Sequence, residues 1–262
     1  MSYPWKALKQ VVEESDILFE VLDARMVELT RNEDVEEMIK EAKKPFGFVI
    51  NKSDLTSKKQ VNKEAEKLRK ETKKDVFVVS GKERKGINGL RDKLHQLSGR
   101  SSFARLRVGF VGYPNTGKSS ITNSLARRKK VEVTSKAGTT RGIQWVSIGD
   151  KLMINDSPGI IPLKKWDEVR YGLIGARDVN KIKELELVAN HIIQLFLKDD
   201  DTQKSLEKFY DIKIHEEILN DPEEILELIG KRRGFMKSGG VVDENRTSKD
   251  IIKNWQAGTL RL

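Results

Sequence analysis

The segment from residue 106 to residue 119 constrains the fold of this chain more than any other. An apolar run over 106–111 leads into Gly112-Tyr-Pro-Asn-Thr-Gly117-Lys118-Ser119, which fits the pattern GxxxxGK[ST], and a helical pattern follows. Glycines let such a loop wrap around a phosphate, and the amides at the start of the helix donate hydrogen bonds to it. The strand before the loop and the helix after it therefore predict a phosphate-binding loop in an α/β domain.

The polar residues of this loop have distinct expected roles. Lys118 would reach the β- and γ-phosphates of a nucleotide, and the Ser119 hydroxyl would coordinate Mg²⁺. For the same reason Lys118 is a candidate catalytic residue. The nucleotide-binding residues predicted in this loop are Asn115, Thr116, Gly117, Lys118, Ser119 and Ser120.

A second phosphate-side motif, Asp156-Ser-Pro-Gly159, comes at the end of a strand pattern and fits DxxG. Asp156 can hold a water molecule on Mg²⁺, and the Gly159 amide can bind the γ-phosphate. Between the two motifs lies Gly-Thr-Thr-Arg at 138–141, where a switch threonine would coordinate Mg²⁺ when the γ-phosphate is present. We select Thr140 as this magnesium ligand and as a catalytic residue, with its neighbour Thr139 as the alternative.

A base-recognition motif, Asn51-Lys52-Ser53-Asp54, directly follows an apolar run and fits NKxD. The Asp54 carboxylate can accept hydrogen bonds from guanine N1–H and the 2-amino group, whereas adenine offers no such pair of donors. Asn51 can support the loop, and the stem of Lys52 can lie over the purine face. A further loop, Ser80-Gly81-Lys82, is expected to complete the base pocket through its backbone amides.

Apolar runs and amphipathic stretches alternate through the first part of the chain. The runs predict strands over 17–22, 46–50, 76–80, 106–111, 145–148 and 152–155, and the amphipathic stretches predict helices near 33–43, 60–73, 86–97 and 119–128. This alternation indicates an α/β fold in which a mostly parallel sheet has helices on both faces. The last two strands are close enough in sequence to form a hairpin.

The pattern changes beyond the last predicted strand, because apolar positions now recur at helical spacing. Asp221 before Pro222 predicts the start of one helix, and Gly258 predicts the end of the last one. We therefore predict a nucleotide-binding domain over 1–163 and a small all-α domain, a possible contact for RNA or the ribosome, over 164–262.

These motifs are those of P-loop GTPases, but their order along the chain is permuted. Ordinary small GTPases have the phosphate loop first and the base-recognition loops last, whereas here the base-recognition loops come first. The order resembles that of the circularly permuted ribosome-assembly GTPases, most closely the YlqF-like group. Three more segments resemble that family: the DAR…RN segment formed by Asp23-Ala24-Arg25 and Thr30-Arg31-Asn32, the switch segment over 138–145, and the C-terminal segment over 231–262.

The resemblance implies a GTPase that binds GTP and GDP, hydrolyses GTP to GDP and phosphate, and acts as a nucleotide-dependent assembly factor of the ribosome. Its implied partners are the large ribosomal subunit or its precursor and rRNA, and we expect it to be monomeric off the ribosome. The implied cofactors are Mg²⁺ and K⁺, because Asn115 matches the asparagine with which potassium-activated GTPases hold that ion. Since a cation there would stabilise transition-state charge, Asn115 is also a candidate catalytic residue.

The group that activates the attacking water stays open. Ile160 follows the DxxG motif where many GTPases have a glutamine, which predicts a low intrinsic rate of hydrolysis. Bacterial members of the resembled family carry a histidine in a longer N-terminal segment, whereas residues 1–16 of this chain contain none. The histidines of the chain, His95, His191 and His215, fall in predicted helices.

The net charge of +10 is concentrated in the middle of the chain, since residues 51–150 contain 24 Lys and Arg against 9 Asp and Glu. A cationic face suited to RNA and an ordinary solvated surface are both consistent with this distribution. The candidate clusters for phosphate contact are Arg127-Arg128-Lys129-Lys130, Lys73-Lys74, 82–85 and 231–233.

Composition disfavours several functional classes. The chain has no cysteine, so disulfides and cysteine-ligated metals are excluded. No apolar run approaches the roughly 20 residues of a membrane span, and the N-terminus lacks the pattern of a signal peptide, so we expect a cytoplasmic protein. Two alternative functions stay open: an RNA-binding scaffold with a structural nucleotide and negligible turnover, and a GTPase linked to tRNA modification.

Overall fold

The computed structural model of the chain describes residues 3–100, 105–126, 144–156 and 168–262. The chain divides into two compact units, Met1–Lys164 and Lys165–Leu262. The first unit is α/β, and the described part of the second is built of helices. The predicted fold class is therefore confirmed. Among the described helices, none has both the length and the apolar character that crossing a membrane requires.

A six-stranded sheet forms the centre of the first unit. Its strands are β1 (Ile17–Asp23), β2 (Phe46–Asn51), β3 (Val76–Val78), β4 (Leu106–Val111), β5 (Gln144–Ile148) and β6 (Leu152–Asp156). Their order is β3-β2-β1-β4-β6-β5, and every neighbouring pair is parallel except the predicted hairpin of β5 and β6. The carboxyl ends of β1, β2, β3, β4 and β6 therefore share one edge of the sheet, the edge where α/β proteins bind ligands.

Helices cover both faces of this sheet. In the described part of the first unit they are α1 (Tyr3–Glu14), α2 (Val27–Thr30), α3 (Glu33–Glu41), α4 (Lys58–Thr72), α5 (Ile87–Arg100) and α6 (Lys118–Leu125). Successive side chains of a strand point to opposite faces. In β1, Phe19 and Val21 accordingly pack with α5 and α6, whereas Leu18 packs with α1 and α3, and Leu22 packs with α4. Burial on both faces explains the nearly continuous apolar run of this strand.

The first unit differs from the prediction in several features, and the short helix α2 is one that was not predicted. Strand β3 ends at Val78 rather than at residue 80, because the Ser80 amide turns away to donate to the Lys85 carbonyl oxygen at 2.9 Å. Helix α4 begins before residue 60 because the Ser57 side chain caps its first turn. Helix α1 was not predicted, although its buried apolar residues have helical spacing.

The second unit contains α7 (Glu168–Leu173), α8 (Leu185–Phe196), α9 (Asp200–Tyr210), α10 (Pro222–Arg233) and α11 (Glu244–Ala257). The Asp221 side chain caps α10 by accepting hydrogen bonds from the amides of Glu223 at 3.0 Å and Glu224 at 3.1 Å. Gly258, with a φ of 72°, ends α11 in the left-handed conformation. Both predicted helix boundaries are confirmed, whereas α7 and α9 were not predicted.

Trp255 is the centre of the core of the second unit. Its ring is fully buried and packs edge-on against Phe196, with 6.1 Å between the ring centroids. Its indole N–H donates to the Leu173 carbonyl oxygen at 2.8 Å, so the buried polar atom has a partner. His215 precedes a short 3₁₀ turn instead of lying in a helix as expected, because the chain there is extended.

Candidate functional site

The loop between β4 and α6 has the backbone conformation that glycines make possible. Gly112 and Gly117 have φ values of 133° and 95°, in the left-handed region that other residues rarely adopt. A Cβ atom on Gly112 would lie 2.7 Å from the Val21 carbonyl oxygen, and one on Gly117 would lie 2.1 Å from the side-chain nitrogen Nδ2 of Asn51. Close approach of neighbouring atoms therefore requires glycine at both positions, and the motif has this spacing for a steric reason.

The side chains of the loop fix its shape. Thr116 is buried, and its hydroxyl donates to the Tyr113 carbonyl oxygen at 3.0 Å. The Lys118 ammonium donates to the carbonyl oxygens of Gly112 at 3.1 Å and Tyr113 at 2.8 Å. The positive charge is thereby held against the loop. Ser119 is exposed at the start of α6, next to the loop.

Asn51 connects three of the predicted motifs. Its side-chain amide donates to the Thr116 carbonyl oxygen at 2.8 Å, and its side-chain oxygen accepts a hydrogen bond from the Gly81 amide at 2.9 Å. Asn51 is only 1% exposed, so both bonds are shielded from water. The loop after β2 is therefore joined to the loop after β3 and to the phosphate loop by one side chain.

Ser80 orients the carboxylate of Asp54. The Ser80 hydroxyl donates to one Asp54 oxygen at 2.6 Å and accepts a hydrogen bond from the Glu83 amide at 3.0 Å. Gly81 follows at a point where a Cβ atom would lie 2.9 Å from the backbone of Ser120 in α6. The loop after β3 thus lies against the start of α6, and Lys82 is exposed.

Lys52 makes an ion pair with an acidic residue at the end of β1. Its ammonium lies 2.7 Å from the Asp23 carboxylate, which also accepts hydrogen bonds from the Arg25 guanidinium at 2.8 and 3.0 Å. Burial alone would raise the pKa of Asp23, but Arg25 and Lys52 together hold that pKa well below its usual range. Burial lowers the pKa of Lys52, and the Asp23 charge offsets only part of this effect.

The structure brings most of the predicted site residues to one edge of the sheet. These residues are Asn51, Lys52, Asp54, Ser80, Gly81, Lys82, Asn115, Thr116, Gly117, Lys118, Ser119 and Ser120. Asp156 ends β6 at the same edge, but its side chain is outside the described residues. Thr140, Gly159 and Ile160 also lie outside them, as does the cluster over 127–130.

One site residue received no role from sequence. In the sequence, Asp23 is only part of the DAR segment that resembles the family, yet its carboxylate contacts Lys52, the second residue of the base-recognition motif. Its position in the sequence could have indicated a role, because Asp23 is the last residue of a buried strand and lies in register with Asn51 of the base-recognition motif.

Two sequence families match the chain. Residues 35–166, half of the chain, match the family described as RsgA GTPase, and residues 107–226 match the family described as 50S ribosome-binding GTPase. All the predicted nucleotide-binding motifs, from residue 51 to residue 159, lie within the segment 35–166.

Curated relatives match almost the whole chain. It is 35% identical over 258 residues to an uncharacterised GTP-binding protein of Methanocaldococcus jannaschii, an alignment covering 97% of this chain and 65% of that protein. It is 30% identical over 259 residues to nucleolar GTP-binding protein 2 of Saccharomyces cerevisiae, covering 98% of this chain and 52% of that protein. The chain thus spans from about half to somewhat under two thirds of the length of these relatives.

Solved structures share the fold. GNP-bound YlqF from T. maritima matches with a TM-score of 0.62 at 23% identity, covering 98% of this chain and 94% of that one. A GDP-bound YlqF structure matches with a TM-score of 0.64 at 24% identity, covering 97% and 95%. The permuted motif order, the shared fold and the matched sequence family agree. The chain belongs to the RsgA GTPase family of circularly permuted ribosome-biogenesis GTPases.

Proposed function

We propose that this chain binds GTP and GDP at the carboxyl edge of its sheet, hydrolyses GTP to GDP and phosphate, and acts as a nucleotide-dependent assembly factor of the large ribosomal subunit. The observation that carries the proposal is the buried Asn51 side chain, which bonds both to the phosphate loop and to the loop after β3. A base pocket and a phosphate pocket joined in this way fit a single purine nucleotide. We assign residues 1–163 to this nucleotide-binding domain.

Asp54 would select guanine in this site. Its carboxylate is half-exposed, and the Ser80 hydroxyl fixes one of its oxygens. Guanine N1–H and the 2-amino group match a carboxylate acceptor, and a site built on such hydrogen bonds rejects bases that lack the donors. The Lys52 stem would cover the purine face, and the amides of Gly81 and Lys82 would border the base.

The phosphates would lie in the loop before α6. Its backbone amides, the start of the helix and the Lys118 ammonium all favour negative charge there. The exposed Ser119 hydroxyl at the start of α6 fits a magnesium ion bound with the phosphates. Ser119, Thr140 and, through water, Asp156 would hold this Mg²⁺, which neutralises charge on the phosphate oxygens. Gly159 would bind the γ-phosphate.

Hydrolysis in this site would depend on positioning and electrostatics, as in other phosphoryl transfers. Lys118 would stabilise the charge that develops on the transferred phosphoryl group. Asn115 is exposed, with a φ of 61°, and its side chain would bind a potassium ion beside the phosphates. Because Ile160 replaces the glutamine that orients water in many GTPases, we expect slow turnover until a partner supplies the missing group.

The ribosome is the proposed partner, and rRNA is its proposed contact. One matched family is described as ribosome-binding, and a relative is named as nucleolar. The basic middle of the sequence favours a polyanion. In the second unit, Lys231 pairs with Glu227 at 2.8 Å and Arg233 with Asp250 at 3.5 Å, so phosphate contact by the cluster over 231–233 would exchange these pairs. The cytoplasmic location and the monomeric state off the ribosome stay predictions.

GTP turnover by the full chain tests this proposal. It would be measured in K⁺ buffer and in Na⁺ buffer, each with and without purified large ribosomal subunits. We expect subunits to stimulate hydrolysis, and more strongly in K⁺ than in Na⁺. Guanine nucleotide binding without stimulation in either salt would contradict the assembly-GTPase function and favour the RNA-binding scaffold. Stimulation by tRNA in place of subunits would favour the tRNA-modification alternative.

A further inference from the structure

We infer that Asp23 is a positioning residue of the base pocket: its carboxylate holds the Lys52 ammonium so that the lysine stem is fixed before a guanine base arrives. This inference rests on the guanine site proposed above. It gives a role to the DAR segment, which the nucleotide-binding residues leave unexplained.

The fold places Asp23 next to the base-recognition motif. Asp23 is the last residue of β1 and lies in register with Asn51, the last residue of β2. The chain leaves β2 through Lys52, and the lysine side chain turns back toward β1, where its ammonium lies 2.7 Å from the Asp23 carboxylate. The parallel pairing of β1 with β2 therefore fixes the separation between the backbones of Asp23 and Lys52.

Asp23 is itself held rigidly. Its side-chain oxygens accept hydrogen bonds from the Arg25 amide at 3.1 Å and from the Arg25 guanidinium. Its own amide donates to the hydroxyl of Thr30, a fully buried residue, at 3.0 Å. Asp23 is 1% exposed, so water does not compete for these bonds. A charged group with all these partners in place is preorganised.

Lys52 needs such support for two reasons. Its φ of 62° lies in the left-handed region, which a lysine rarely adopts. Its four-carbon stem loses rotamer freedom whenever it is fixed on a base, and a contact that fixes it beforehand removes that cost from binding. The Asp23 ion pair pins the far end of the stem, while 20% of the lysine side chain stays exposed for contact.

Arg25 makes the arrangement depend on the charge of Asp23. Its guanidinium and the Lys52 ammonium share one carboxylate, and both lie in a buried region. With a neutral residue at position 23, two cations would face each other with no charge between them, and Lys52 would give up its proton or move away. Either response frees the stem.

The substitution Asp23→Asn tests the inference in the full chain. We expect fluorescence titration with a labelled GDP to show roughly tenfold to hundredfold weaker binding, as for loss of a charged hydrogen bond. Binding of IDP should weaken by the same factor, because the stem covers the purine face and does not read the 2-amino group. The matched control is Glu71→Gln, which removes a carboxylate 2.6 Å from Arg31 in the same unit and should leave GDP affinity unchanged.

A chemical measurement separates positioning from general damage. The rate at which acetic anhydride modifies the Lys52 amine, followed by mass spectrometry, should rise in Asp23→Asn, because the unprotonated amine is the reactive form. If this variant fails to fold, Lys52→Met provides the test, since Asp23 keeps its Arg25 partner and only the pinned ammonium is lost. It should also bind GDP more weakly.

The outcomes distinguish the inference from the function on which it rests. Absence of GDP binding by the unsubstituted chain would overturn the proposed function. Tight GDP binding by that chain, together with unchanged affinity in Asp23→Asn and Lys52→Met and unchanged Lys52 reactivity, would overturn only the positioning role of Asp23.

Discussion

Asn51 in the first unit and Asp221 in the second are polar side chains that bond over very different ranges of sequence. In the first unit, Asn51 bonds to Thr116 across 65 positions and to Gly81 across 30. In the second unit, the Asp221 cap reaches amides only two and three positions away. Asp221 therefore ends one helix, whereas Asn51 assembles a site. The second unit has long-range side-chain bonds as well, but the bond of Trp255 to Leu173, across 82 positions, lies in its core.

The largest effect is expected from changing the acceptor of the base pocket. Asp54→Asn should weaken GDP binding by about a hundredfold or more and create a preference for XDP. Xanthine has a carbonyl oxygen where guanine has its 2-amino group, and the asparagine amide can donate to that oxygen. Competition titrations with GDP and XDP measure both. Asp75→Asn is the matched control, since Asp75 pairs with Lys93 at 2.8 Å outside the base pocket. Unchanged GDP affinity in Asp54→Asn would mean that the base pocket is misassigned.

Asn51→Ala should damage both binding and stability. It removes the hydrogen bonds to Gly81 and Thr116. The buried Gly81 amide and Thr116 carbonyl group lose this partner, which should lower the free energy of unfolding by about 2–4 kcal/mol. Hydrogen–deuterium exchange of the full chain should therefore speed up in peptides from β2 and α6, and GDP affinity should fall. Faster exchange confined to the loop after β2 would show that Asn51 does not join the motifs.

Asp221→Ala provides the contrasting local case. Loss of this helix cap should cost about 1 kcal/mol, because the amides of the first turn lose their acceptor. Exchange should speed up only in peptides from the start of α10, while GDP affinity stays unchanged. A loss of GDP affinity as large as that of Asn51→Ala would contradict the contrast between the local role of Asp221 and the long-range role of Asn51.

The smallest effect concerns Glu20, a fully buried carboxyl group in β1. Burial and then the nearby Glu36 raise its pKa well above the usual range. The folded chain thus binds more protons than the unfolded chain above the usual pKa, and Glu20 costs stability increasingly as pH rises through its folded pKa. The melting temperature of Glu20→Gln minus that of the unsubstituted chain should therefore increase as the pH rises from 5 to 8. A difference that stays constant across this range would contradict the raised pKa.

Much of the fold follows from local patterns. The six strands were predicted from apolar runs, and the start of α10 and the end of α11 were predicted from Asp221 and Gly258. Helix α1 is not among the predicted helices, although its buried residues Leu8, Val11 and Val12 have helical spacing. Strand β3 is shorter than its apolar run because a turn bond at Ser80 ends it.

The candidate site was predictable as a set of motifs but not as a network. The pattern of glycines, lysine and serine at 112–119 is visible in the sequence, although the close contacts that require Gly112 and Gly117 come from Val21 and Asn51 on other strands. The bonds of Asn51 and the pairing of Lys52 with Asp23 depend on which strands become neighbours. Strand order is a property of the whole sheet, so no local pattern assigns these contacts.

Calorimetric titration of the full chain with GDP and, separately, with ADP in the presence of Mg²⁺ tests directly whether these loops form a guanine nucleotide site. One guanine nucleotide site at the shared edge predicts one GDP bound per chain and affinity for ADP that is lower by about a hundredfold or more. Equal affinities for the two nucleotides, or no binding of GDP, would contradict the claim that these loops form a guanine nucleotide site.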